Sequence, residues 1–296
     1  MKNITLVGAS GSLGSVILSK LLETGRFNVQ VLRRPTSSAA FPAAVKVVDV
    51  LLSAVEDVKA ALEGQDALIS ALGISQVQDQ ANLTDACIAA GVQRFIPAEF
   101  GADVENEKVQ TLPVYAPIVK VRNHLIERSR DTSLTYTFVH NGGFLDWGLQ
   151  HDFLLKVSDY QPMLIDGGSR LFSATTVSSI ADAVVGILDH PQETKNRAVY
   201  IEDCKITQNT LYQLAKEVAP LKPWAPIHVK LDDLTADADR RVAEGTADRD
   251  VMVPYLYRAL MDPECGGNFR EVDNGLLGLK QFTEEDLRNI VREHVK

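Results

Sequence analysis

The seven residues Gly8-Ala9-Ser10-Gly11-Ser12-Leu13-Gly14 follow an apolar run, Ile4 to Val7, and lead into a helix-like stretch from Leu13 to Glu23. Glycines at such a junction allow a tight turn and close approach of the backbone, and the start of a helix presents unpaired N–H groups to an anion. The chemistry this predicts is phosphate binding by Gly8, Ser10, Gly11, Ser12, Leu13 and Gly14. The spacing is GxxGxxG rather than GxGxxG, and a purely structural turn is the competing explanation. Nineteen residues beyond Gly14, a second strand-like run ends in Arg33 and Arg34. An acidic residue there holds a ribose 2′-hydroxyl, whereas two arginines offer forked, charge-assisted hydrogen bonds to a 2′-phosphate. The pattern predicts NADP(H) rather than NAD(H), against the alternative of a solvated basic pair capping a strand.

Proton chemistry has fewer candidates. A tyrosine four residues before a lysine on one helix places phenol and ammonium on the same face, where they exchange a proton with a substrate oxygen. The one match, Tyr212-Gln-Leu-Ala-Lys216, lies in an amphipathic stretch well beyond the glycine loop and is not expected to be catalytic. Tyr115 and Lys120 stand five apart with Pro117 between them, about 140° around a helix. Lys120 is the candidate acid/base group if the chain shifts locally around Pro113 and Pro117; otherwise it is a solvated helix lysine. His124, one turn further on, shares its fate. Glu99 ends the fifth strand-like run, where parallel sheets bind ligands, and is the second acid/base candidate; its alternative is a carboxylate that accepts backbone N–H bonds. Phe144 and Trp147 offer an aromatic wall to a planar substrate, or plain core packing. Six histidines and three cysteines (Cys87, Cys204, Cys265) form neither an HExxH nor a CxxC, so neither a metal site nor a disulfide framework is expected.

The elements that must position these groups follow from periodicity. Short apolar runs at Ile4–Val7, Val29–Leu32, Val45–Val48, Ala67–Leu72, from Phe95, and at Leu134–Val139 alternate with helical spacing at Leu13–Glu23, Ala54–Leu62 and Ala81–Ala90. That alternation predicts an α/β fold: a Rossmann-type, doubly wound parallel sheet over residues 1–146. Beyond Asn141-Gly142-Gly143 the pattern loosens into helices near 177–188, 208–218, 232–244, 251–261 and 284–295, with strand-like pieces near Leu171 and Val199. Residues 147–296 are expected to form a smaller α+β substrate lobe, partly packed back on the sheet.

The chain has 296 residues, 45% hydrophobic and 23% charged, enough for a core without staples. Its net charge of −9, with no basic tract, argues against coating nucleic acid or an anionic membrane. No apolar run reaches the ~18 residues of a membrane span, no signal peptide precedes Ile4, and a cytoplasmic protein is expected.

The segments Asp66-Ala-Leu-Ile-Ser-Ala-Leu-Gly73 and Arg94-Phe-Ile-Pro-Ala-Glu-Phe-Gly101, with the glycine loop, resemble the isoflavone reductase-like, or NmrA-like, branch of the atypical short-chain dehydrogenases. Gly142-Gly-Phe-Leu-Asp-Trp-Gly-Leu149 is similar to fungal members, and Gly275-Leu-Leu-Gly-Leu279 with the last helix resembles the family's ending. The resemblance spans nearly the whole chain. It implies an NADP-binding domain with a smaller substrate lobe, and that Leu72, Gly73 and Phe100 border the cofactor. It also implies a planar aromatic secondary metabolite as substrate, reduced by hydride transfer. Reductases of that family commonly keep a lysine four residues before an arginine; counting back from Arg122 reaches Ile118, and Lys120 stands two positions on. Three functions are therefore open: an NADPH-dependent reductase of an aromatic or heteroaromatic metabolite, an NADP(H)-bound enzyme performing a non-redox rearrangement, isomerisation or cyclisation, and a non-enzymatic NADP(H) sensor.

Overall fold

A computed structural model describes residues 1–246 and 248–295. Strands β1 (Asn3–Val7), β2 (Asn28–Arg33), β3 (Lys46–Asp49), β4 (Ala67–Ser70), β5 (Arg94–Ile96) and β6 (Thr135–His140) arise from the short apolar runs. Helices α1 (Ser12–Glu23), α2 (Val55–Leu62), α3 (Gln80–Ala90), α4 (Glu107–Gln110) and α5 (Ala116–Ser129) occupy the connections between them. β1, β2 and β4 are buried almost end to end, as strands covered on both faces must be. α3 stops at Gly91, whose φ of 75° is the left-handed cap that glycine adopts without a Cβ penalty.

Beyond β6 come β7 (Gly143–Phe144), α6 (Leu145–Gln150), β8 (Met163–Ile165), β9 (Phe172–Thr175), α7 (Val177–Asp189), β10 (Arg197–Tyr200) and β11 (Cys204–Ile206). They are followed by α8 (Gln208–Val218), β12 (Ile227–Val229), α9 (Leu231–Ala243), α10 (Arg249–Met261), α11 (Asn274–Leu277) and α12 (Glu284–His294). β10 pairs with β6 and becomes the seventh strand of the main sheet, whose order is β10-β6-β5-β4-β1-β2-β3. All its pairings are parallel. The order reverses at β1, which lies between β4 and β2. Connections leave β1 and β4 in opposite directions there, so a crevice opens at the carboxyl ends of these strands. The expected doubly wound sheet is borne out.

Two clusters cover the sheet. On one face Ile17 and Leu21 of α1 and Ile180, Val184 and Ile187 of α7 pack on Ile4, Leu6 and Val139. On the other, Val58, Leu83 and Leu125 from α2, α3 and α5 pack on Leu68, Phe95 and Phe138. The smaller lobe has its own core, in which Leu164, Phe172, Leu211, Leu260, Leu287 and Val291 meet. Tyr212 and Lys216 belong to that lobe: the ammonium lies 5.4 Å from the tyrosine ring centre, and the ring stands edge-on to Trp224. Among the described residues no helix is long and apolar enough to cross a membrane.

Candidate active site

The glycine loop is built by contacts that leave no room for side chains. Gly8 has φ +81°, and a Cβ there would lie 2.5 Å from the Ala71 carbonyl oxygen. A Cβ on Gly14 would fall onto the Gly8 carbonyl oxygen, 2.8 Å from its carbonyl carbon. The turn closes through Gly11 N–H donating to Gly8 O at 3.0 Å, and α1 starts after Gly11 with no side-chain cap and no acidic residue in its first turn. The first-turn N–H groups, from Ser12 to Gly14, have no partner within the helix. Such an end, with its partial positive charge, fits a pyrophosphate. A cleft of about 170 Å³ opens beside it, lined by Gly8, Ser10, Gly11, Arg33, Arg34, Leu72 and Gly73, with Ser37 and Phe41 from the β2–β3 connection. Ser12 is exposed, and Leu13 and Phe100 are half-buried against the same core as Ala71.

The two arginines differ. Arg33 sends Nε and Nη2 to the two oxygens of Asp49, at 2.7 and 2.9 Å, and Nη1 to the Ala39 carbonyl. Arg34 is exposed and makes no ion pair among the described residues. Asp49, Ser37 and Phe41 carry no local motif, which is why sequence reasoning missed them.

At the end of β5 the polar groups are buried together. Arg122 of α5 donates to Glu99 and to Glu105, and its guanidinium carbon lies 3.8 Å from the centre of the Phe138 ring. Burial pushes the Glu99 carboxyl up, against the pull of Arg122. Asp103 accepts from the Tyr200 hydroxyl at 2.9 Å and lies 3.9 Å from His140 Nε2; burial also raises its pKa. His140 is pushed down to about 3 by burial and then by the Arg122 charge. The sequence signals for this cluster are Glu99 at the end of the fifth strand-like run and Arg122 in the helical stretch after it, and nothing in their spacing pairs the two.

Because Arg122 faces the sheet, Ile118, one turn earlier, shares its side of α5. Lys120 is about 200° around the helix from either and is exposed. His124 lies on that outer side, 3.3 Å from Asp85 of α3. Tyr115 is buried among residues of α10 and the 102–114 segment, and burial raises its phenol. The structure therefore gathers the glycine loop, Arg33, Arg34, Leu72 and Gly73 at one cleft, and sets Lys120 outside its lining. Phe144 and Trp147, both half-buried, meet edge to face with ring centres 6.5 Å apart, and Trp147 stacks on His151 at 4.3 Å.

A profile of the NAD(P)H-binding family matches residues 8–191, which begin at the first loop glycine and run through α7. The chain belongs to the NAD(P)H-binding family. A relative, the oxidoreductase aprR of Aspergillus flavus, is 31% identical over 259 residues, covering 86% of this chain and 85% of its own. Among solved structures, the leucoanthocyanidin reductase of Vitis vinifera in its binary complex with NADPH superposes with a TM-score of 0.78 at 19% identity, covering 98% and 99% of the two chains. A structure from a study of pinoresinol-lariciresinol and phenylcoumaran benzylic ether reductases and their relationship to isoflavone reductases gives 0.79 at 20% identity, covering both chains fully. The NAD(P)H-binding assignment bears out the expected oxidoreductase class and its nicotinamide cofactor.

Proposed function

We propose that this NAD(P)H-binding oxidoreductase is an NADPH-dependent reductase of a planar aromatic or heteroaromatic secondary metabolite, an isoflavone reductase-like, NmrA-like member of fungal type that works in the cytoplasm. One observation carries the proposal: the glycine loop after β1, Arg34 after β2 and the half-buried pair Phe144–Trp147 after β6 all follow the carboxyl ends of strands of one parallel sheet. Of the solved structures of like fold, one is named as a leucoanthocyanidin reductase bound to NADPH and another comes from work on pinoresinol-lariciresinol and phenylcoumaran benzylic ether reductases, names that support this substrate class.

NADPH supplies the hydride, and the chain supplies the rest. The first-turn N–H groups of α1 would hold the pyrophosphate and Arg34 the 2′-phosphate, while Leu72, Gly73 and Phe100 would border the cofactor, with Phe100 toward the nicotinamide. Phe144 and Trp147 flank the substrate. Lys120 is the proposed group for ribose contact and proton delivery through a local shift around Pro113 and Pro117, since in the structure it is exposed on the outer side of α5 and outside the cleft. Glu99, its affinity for a proton raised by burial, is the second proton-holding group.

Calorimetry checks the cofactor: NADPH is expected to bind at least tenfold more tightly than NADH, about 1.4 kcal/mol, and equal affinities refute the choice. The reaction is checked by incubating protein and NADPH with phenolic, quinone and indole metabolites while following nicotinamide absorbance and product mass. Falling absorbance with a product two hydrogens heavier is expected. Ile118 on the sheet-facing side of α5, where a lysine is commonly found, favours a second outcome: a new product of unchanged mass at constant absorbance, the mark of a non-redox isomerisation. Lys120→Met is expected to lower kcat about a hundredfold and to weaken NADPH binding through the lost ribose contact; undiminished turnover removes Lys120 from the site.

A further inference from the structure

Arg33 and Asp49 are register partners at the ends of β2 and β3. The arginine fork spans both carboxylate oxygens, and the third bond, Nη1 to Ala39 O at 2.7 Å, reaches the middle of the connection between the two strands. That connection folds on itself: Ser37 N–H donates to Arg34 O at 2.9 Å, Ala39 N–H to Ser37 Oγ at 3.3 Å, and Val45 N–H to Pro42 O at 2.9 Å. Ala39 sits between Ser37 and Phe41, both of which line the cleft with Arg34. Phe41 is half-buried against the main core.

Charge separates the roles of the two arginines. Arg33 holds the Asp49 carboxyl below its ordinary range, so the pair is neutral as a unit at pH 7. A phosphate dianion approaching Arg33 meets a carboxylate fixed alongside it, whereas at Arg34 it meets an uncompensated cation. An exposed ion pair contributes little stability by itself; the two-point fork and the Ala39 bond instead define geometry.

We infer that Arg33 is a positioning residue and not a phosphate ligand. Clamped by Asp49, it fixes the connection so that the Phe41 ring lies against the adenine, which both nucleotides share, while Arg34 takes the 2′-phosphate. The assignment rests on NADP(H) being the cofactor.

Calorimetric titration of the cofactor-free protein with NADPH and with NADH separates the two ideas. Wild-type protein that binds both equally removes the NADP(H) choice itself, whatever the variants do. Given a preference, Arg34→Ala should weaken NADPH about tenfold or more and leave NADH within about twofold. Arg33→Ala and Asp49→Asn should each weaken both nucleotides by a similar factor, about threefold to tenfold, with the NADPH/NADH ratio unchanged. The double variant should be no weaker than either single one, because both act through one contact. Melting curves serve as the folding control for these surface substitutions. Selective loss of NADPH in Arg33→Ala, selective tightening of NADPH in Asp49→Asn, or unchanged binding of both nucleotides in Asp49→Asn overturns the inference.

Discussion

Gly14→Ala is expected to lower NADPH affinity about a hundredfold or more, near 3 kcal/mol, and to cost about 1–3 kcal/mol of stability. The added methyl falls onto the Gly8 carbonyl oxygen and comes 2.8 Å from the carbonyl carbon and 3.0 Å from the Ala9 Cα. All three atoms are backbone, so no side chain swings aside. Either α1 moves off β1 or the loop opens, and both displace the first-turn N–H groups from the pyrophosphate. Gly8 cannot yield, since it is held at φ +81° close to Ala71 and Leu72. Ser15→Ala, at an exposed position one residue on, is the control and should stay within about 0.5 kcal/mol of wild type. Calorimetry with NADPH and thermal unfolding of the free protein read the two effects separately. If Gly14→Ala is destabilised yet binds NADPH as wild type does, the loop is a structural turn and the phosphates lie elsewhere.

What the sequence disclosed of this site depends on how far apart the cooperating residues are. The glycine loop was legible because strand, turn and helix are contiguous and the loop geometry admits little but glycine at Gly8 and Gly14. The order of the sheet was legible as a class, since strands buried on both faces read as apolar runs. The return of β10 to the sheet was not. Arg197–Tyr200 looks like any short strand, and only its pairing with Thr137–His140 assigns it. The division of labour between Arg33 and Arg34 was equally hidden, because the partner that neutralises Arg33 is 16 residues away on the next strand. Likewise Glu99 reads as a lone carboxylate until α5 brings Arg122, 23 residues on, against it. Ser37 and Phe41 lie in an aperiodic connection, and their place in the cleft follows from the Ala39 bond and not from any pattern around them.

Arg122→Met is expected to cost about 3–5 kcal/mol of stability at pH 8 and much less at pH 5. Both Arg122 and Glu99 are buried, and methionine keeps most of the packing on Phe138 while removing the charge. Glu99 is then left beside two further acids, Asp103 and Glu105, with His140 and Tyr200 completing the cluster. Burial already holds the Glu99 carboxyl above its ordinary 4.5; without Arg122 it rises further. A carboxyl whose folded-state pKa is raised binds more protons folded than unfolded. Its contribution is fully present below about 4.5 and is lost as pH rises through the folded value. His140 runs the other way. With its pKa pushed from 6.5 down to about 3, unfolding takes up a proton below pH 6.5 and stability is lost as pH falls. Arg122 is one cause of that depression, so its removal should make the acid limb of the stability profile shallower and the alkaline limb steeper. Urea unfolding at pH 5 and pH 8 measures both limbs. Glu99→Gln added to Arg122→Met leaves no unpaired buried charge and should recover most of the loss at pH 8. A loss of equal size at both pH values, with no recovery in the double variant, means that Arg122 contributes through its stacking on Phe138 and not through its charge.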